Sequence, residues 1–104
     1  MPRHMRVGRI GEIPPGKAKV VVVSKTEEYA VYNVDGTLYA TGNVCPHSGG
    51  PLGEGELEGA VVTCPWHAWQ FDVRTGIALD FPEDHVPTYP VKVQGNEIYL
   101  ELPD

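Results

Sequence analysis

The chain of 104 residues fits one domain, 1–104, with room for a single packed core. Its 41% hydrophobic and 21% charged content excludes a disordered chain, and a net charge of -6 argues against nucleic acid as a partner. Two cysteines do not make a secreted disulfide scaffold, and no apolar stretch approaches the roughly 20 residues a membrane span needs.

In chain order, the first 25 residues carry six cations against Glu12 alone (net +5), and the remaining 79 carry two cations against thirteen acids (net -11). The amino terminus has charges but no apolar segment behind them, so it reads as neither signal peptide nor anchor, and a soluble, cytoplasmic monomer is expected. His4 reads as part of a frayed terminus. The acidic body suits docking to a basic protein surface, or is ordinary solubilising charge.

Ala18 to Ser24 is a β-branched run, and Glu28 to Tyr32 and Thr37 to Thr41 flank a hairpin turn at Val34-Asp35-Gly36. Residues 42 to 59 read as Gly- and Pro-rich loops. Within them Glu54, Glu56 and Glu58 read equally well as a solvated edge and as an acidic docking rim. Ala60 to Thr63 and Trp69 to Val73 form a second hairpin leading into a turn at Arg74-Thr75-Gly76. Tyr89 to Val93 and Glu97 to Leu102 form a third, through Gln94-Gly95-Asn96. In the last strand Ile98, Leu100 and Leu102 alternate with Glu97, Tyr99 and Glu101, the period of a half-buried strand. No window shows capped 3.6-residue periodicity, so the fold class is all-β, a sandwich or barrel-like domain.

The chemistry-bearing residues sit in two short segments. Cys45-x-His47 is followed by sixteen residues and then Cys64-x-x-His67. Four soft or borderline donors in matched pairs point to a metal site. Structural zinc sites usually keep Cys with Cys and His with His, whereas each loop here supplies one of each. That mixed order suits a binuclear cluster in which one iron takes both thiolates and the other both imidazoles.

The segments C-P-H-S-G-G-P-L (45 to 52) and C-P-W-H-A-W-Q-F-D-V-R-T-G (64 to 76) resemble the two cluster-binding loops of the Rieske family, nearest to its small soluble ferredoxins. The likeness continues through Pro82 and Tyr89-Pro90-Val91-Lys92-Val93. It implies an antiparallel β-sandwich with a cluster-binding subdomain formed by two loops, within about residues 42–76. It also implies a 2Fe-2S cluster, with Cys45 and Cys64 on the inner iron and His47 and His67 on the outer, near the surface. The implied function is one-electron transfer from a flavin-dependent reductase to a terminal oxygenase or similar acceptor. No catalysis is expected of the chain itself. The small Rieske subunit of an assimilatory nitrite reductase, a structural zinc protein and a redox-sensing binding module are the alternatives.

In that comparison Gly49 and Gly50 let backbone N–H groups approach the cluster sulfurs, and Pro46 and Pro65 fix loop shape. High-potential relatives carry an extra cysteine in each loop and hydroxyl side chains at the positions of Trp69 and Phe71. This chain has neither, so a potential nearer about -150 mV than +300 mV is expected. Proton-coupled behaviour of His47 and His67 is a further expectation. Ala68 stands where the family usually has Gly, and a positive φ there adds strain of roughly 1 kcal/mol. Trp66 reads as a shield over the cluster in preference to a partner surface, Trp69 and Phe71 as core, and His85 as a solvated loop histidine.

Overall fold

The computed structural model describes residues 3–46, 49–66 and 68–103. Among the described residues, ten strands form three antiparallel sheets. They are β1 (Arg3–Arg9), β2 (Ala18–Val22), β3 (Glu28–Val34), β4 (Thr37–Gly42), β5 (Glu56–Glu58), β6 (Val61–Thr63), β7 (Gln70–Asp72), β8 (Thr88–Tyr89), β9 (Val91–Gln94) and β10 (Glu97–Leu102). One sheet has the order β1-β10-β9, the second β2-β3-β4-β8 and the third β5-β6-β7. No helix among the described residues is long and apolar enough to cross a membrane.

The central sheet owes its place to β3, whose residues from Tyr29 to Asn33 are all buried. Alternation sends Tyr29 and Val31 to one side, where they pack with Val7, Ile13, Ala40, Ile98, Leu100 and Leu102. Ala30 and Tyr32 face the other side and pack with Cys45, Leu52, Val62, Cys64, Phe71 and Val86. The domain therefore has two apolar layers divided by one sheet. The second layer is the floor beneath the cysteine loops. The Tyr32 hydroxyl is paired there with Thr41 Oγ1 at 3.0 Å, and burial pushes its pKa up to about 12.

The β3–β4 hairpin turns through Asp35 (φ 50) and Gly36 (φ 94). Two successive positive φ values give the turn whose twist matches the strands it joins. Asn33 Oδ1 accepts from Gly36 N–H at 2.7 Å.

Three expectations need correction. The amino terminus is strand β1, with His4 opposite Glu101 in the ladder to β10. Its Arg-rich sequence hid the strand because the charges are neutralised by other segments: Arg6 meets Glu97 at 2.7 Å and Arg3 meets Glu27 at 2.8 Å. Tyr89 to Val93 is two strands, not one. Tyr89 pairs with Ala40 in the central sheet, whereas Val91 and Val93 pair with β10. Pro90 lies at the switch, where the missing N–H breaks the ladder, and its carbonyl accepts from Glu101 N–H at 3.0 Å. The stretch from 42 to 59 is also not all loop, since Glu56–Glu58 pairs with β6 as a strand.

Candidate metal centre

The first cysteine loop leaves β4 at Gly42 and is pinched at its neck by a bridge between Val44 and Pro51. Inside the neck Cys45 N–H donates to the Gly50 carbonyl at 2.9 Å, and Gly49 N–H donates to the Cys45 carbonyl at 2.8 Å. Gly49 has φ 77, a left-handed conformation that glycine takes without steric cost. The second loop leaves β6 at Thr63 and returns at β7, closed by Cys64 N–H donating to the Trp69 carbonyl at 2.7 Å. Both thiols are 1% exposed and belong to the layer containing Leu52, Val62 and Phe71. His47 and His67 lie outside the described residues, as does Ser48. Two of the four expected ligands are therefore placed. Among the described residues no three His, Cys, Asp or Glu side chains converge on a metal position.

Gly50 joins the loops. A Cβ built on it falls 2.8 Å from Cys64 Sγ and 2.9 Å from Trp66 Cγ. The first loop thus lies directly against the sulfur of the second, at a distance only glycine allows. Trp66 lays its Cβ and ring root on Gly50 yet remains 53% exposed. One edge of the residue lies on the seam between the loops, and about half of its surface is exposed.

Ala68 has φ 57, so the conformation that puts strain on a non-glycine residue is the one present. Trp69 stacks on Phe81 at 4.4 Å between centroids and lies 6.5 Å from Phe71. Phe71 is fully buried and Trp69 packs against the same layer, which fits their reading as core. Phe81 opens the proline-rich segment whose bonds return it to the fold: Ala78 N–H donates to the Asp84 carbonyl and Val86 N–H to the Gly76 carbonyl. His85 is exposed there, as expected of a solvated loop histidine.

Charge around the site is set by what remains after pairing. Glu12 is held below the usual carboxylate range by Lys19 at 2.7 Å, and Glu27 is held down by Arg3 and the Tyr29 hydroxyl. Asp72, just after the second loop, is lowered by Arg74, which reaches it at 2.9 Å. Glu54, Glu56, Glu58, Asp80 and Glu83 are exposed.

The donor chemistry fits an iron–sulfur cluster at its thiolate end. Two buried sulfurs in touching loops, in a layer otherwise apolar, are what an iron bound by both thiolates requires. Sequence reasoning missed Asn43, buried at the root of the first loop, whose side chain bonds to two separate segments. Nothing in an Asn beside a Gly distinguishes it from an ordinary turn residue.

Residues 3–90 match the family model of the Rieske [2Fe-2S] domain. The ferredoxin component of a naphthalene 1,2-dioxygenase system from Pseudomonas aeruginosa is 42% identical over 92 residues, covering 88% of each chain. Among solved structures, a complex of reduced oxygenase and oxidized ferredoxin in carbazole 1,9a-dioxygenase matches with TM-score 0.88 and 31% identity, covering 94% of this chain and 92% of the other. A structure described as an NADH-dependent nitrite reductase small subunit from Mycobacterium tuberculosis matches with TM-score 0.89 and 25% identity, covering 100% and 98%.

Proposed function

The chain belongs to the Rieske [2Fe-2S] domain family, and from that premise we propose that Cys45 and Cys64 hold one iron of its cluster and His47 and His67 the other. It is an electron carrier, a ferredoxin component that passes electrons to the oxygenase of a dioxygenase system, and not itself a catalyst. When bound, the 2Fe-2S cluster supplies one reversible electron. The observation that carries the ligand assignment is the contact of the two loops at Gly50, which brings the Cys64 sulfur against the loop of Cys45.

The protein's own residues perform three tasks around that centre. Burial of both thiols among Leu52, Val62 and Phe71 keeps water from the sulfur end. The inward hydrogen bonds of each loop fix the cysteine backbones, so little rearrangement accompanies a change of charge. Trp69 and Phe71 bring no hydroxyl toward the sulfurs, which favours the oxidised state and a potential in the lower part of the Rieske range, nearer about -150 mV. A flavin-dependent reductase is the proposed donor and the cytoplasm the proposed compartment, where thiolates serve metals in preference to disulfides. The relatives' aromatic substrates differ, naphthalene in one and carbazole in another, so the carrier is set by its protein partners and not by a substrate.

Anaerobic stopped-flow mixing of the reduced protein with a Rieske oxygenase tests this directly. Reoxidation at one electron per chain is expected, and failure with both oxygenase and reductase partners counts against it. The likeness to a nitrite reductase small subunit supports a second reading, in which the same centre serves a large reductase subunit. Stable co-purification with such a subunit distinguishes the two.

A further inference from the structure

We propose that Asn43 is the positioning residue of the first ligand loop, a single side chain that fixes both the departure and the return of that loop to strand β3. Asn43 is 1% exposed and lies two residues before Cys45. Its main chain closes the loop: Asn43 N–H donates to the Glu28 carbonyl at 3.1 Å, and its own carbonyl accepts from Leu52 N–H at 2.7 Å. Its side chain repeats the closure with different atoms. Oδ1 accepts from Gly53 N–H at 2.7 Å, and Nδ2 donates to Glu28 Oε1 at 3.0 Å.

The partners dictate the residue. Gly53 N–H can only donate and Glu28 Oε1 accepts here, so the group between them must accept on one side and donate on the other. A side-chain amide does both. Aspartate has two acceptors and sets a second carboxylate oxygen against Glu28, while alanine leaves the half-buried Gly53 N–H without its acceptor. The fit is close on the far side too. A Cβ on Gly53 falls 2.9 Å from Asn43 Oδ1 and 2.6 Å from Val20 Cγ2, so glycine at 53 is what lets the loop's return lie on the amide. Leu52, fully buried beside Cys45 and Cys64, seats the same return in the core.

Everything between the two clamped ends, residues 44–52, carries Cys45 and His47. Outer hydrogen bonds that orient metal-binding groups are worth about 10–100-fold in metal retention. The Asn43 bonds to Glu28, Leu52 and Gly53 act on the two ends of the loop, through its backbone. The inference rests on the assignment of Cys45 and His47 as ligands.

The test compares holo-protein of wild type, Asn43→Asp, Glu28→Gln and the double variant by amide hydrogen exchange and by cluster loss under chelator challenge. Asn43→Asp should speed exchange at Leu52 and Gly53 by about tenfold or more and cluster loss by about 10–100-fold. Glu28→Gln keeps an acceptor for Nδ2 and should stay within about threefold of wild type. The double variant restores a donor–acceptor pair with its direction reversed, and both readouts should return to within about threefold of wild type. Amides of Ile98 to Leu102 should exchange alike in all four proteins. A double variant no better than Asn43→Asp overturns the proposal, as does faster exchange that spreads equally to β10. Failure of the ligand assignment reads differently, because Cys45→Ser then keeps its cluster whatever the clamp variants do.

Discussion

Gly50→Ala puts the loop–loop contact under direct test. The new methyl carbon would sit 2.8 Å from Cys64 Sγ, 2.9 Å from Trp66 Cγ and 3.0 Å from Trp66 Cβ. Ordinary carbon contacts lie at about 3.5–4.0 Å, so the sulfur is too near by about 0.7–1.2 Å. None of the three atoms is the free end of a flexible side chain. The sulfur is buried, and Cβ and Cγ are the root of the indole. The loops must separate, and overpacking of this kind costs about 1–3 kcal/mol. Gly50 does not have positive φ, so the cost is steric and not conformational. Gly49→Ala is the control: its φ is 77 and its Cβ meets nothing within 4 Å among the described residues, so left-handed strain of about 1 kcal/mol is the expected cost. Urea unfolding of the holo-protein, with bleaching of the visible absorption, reads both effects. Gly50→Ala should lose about 1–3 kcal/mol and bleach about tenfold faster. Adding Trp66→Ala should recover only part of the loss, since the sulfur stays in place. Wild-type stability and bleaching in Gly50→Ala would refute the view that the loops meet there.

Other substitutions probe the neighbouring residues. Ala68→Gly should stabilise the protein by roughly 1 kcal/mol, seen as a higher urea midpoint, because it relieves the φ of 57; a lower midpoint contradicts the strain. Phe71→Tyr offers a hydroxyl where high-potential relatives have one, and a hydrogen bond worth about 1 kcal/mol more to the reduced state raises the midpoint by about 40–50 mV. An unshifted or lowered midpoint removes the explanation of low potential by missing hydroxyls. The Asp72 carboxyl is held below its ordinary value by Arg74, so its contribution to stability is fully present above the unfolded pKa of about 3.9 and is lost as pH falls through the lower folded value. Asp72→Asn should therefore unfold more easily than wild type at pH 7, and the gap should narrow only below about pH 4. A gap unchanged at pH 3 assigns the effect to something other than the charge.

Much of the fold is legible because its signals are local. The alternation of Ile98, Leu100 and Leu102 with polar neighbours gives β10, and Asp35-Gly36 gives the hairpin whose two positive φ values the structure contains. What is not legible depends on distant partners. Arg3 and Arg6 make a strand only once Glu27 and Glu97 are there to meet them. Pro90 looks like a blemish in one strand until the chain is seen to leave one sheet for another. The cysteines announce themselves by spacing to His47 and His67, and the structure adds that both thiols are buried in one layer. Asn43 could not be read in advance, because its value lies in joining Glu28 to Gly53, and no periodicity or motif records such a triangle. Ala68 is intermediate, since a doubtful residue was visible but its φ was not.

The central claim is that Cys45, His47, Cys64 and His67 together hold a Rieske-type 2Fe-2S cluster carrying one electron. Electron paramagnetic resonance of the dithionite-reduced protein, integrated against protein and iron, tests it most directly. One spin per two irons is expected, with an average g below that of an all-cysteine 2Fe-2S cluster, because imidazoles replace thiolates on one iron. An average g like that of an all-cysteine cluster, or a colourless protein containing zinc and giving no signal, would contradict it.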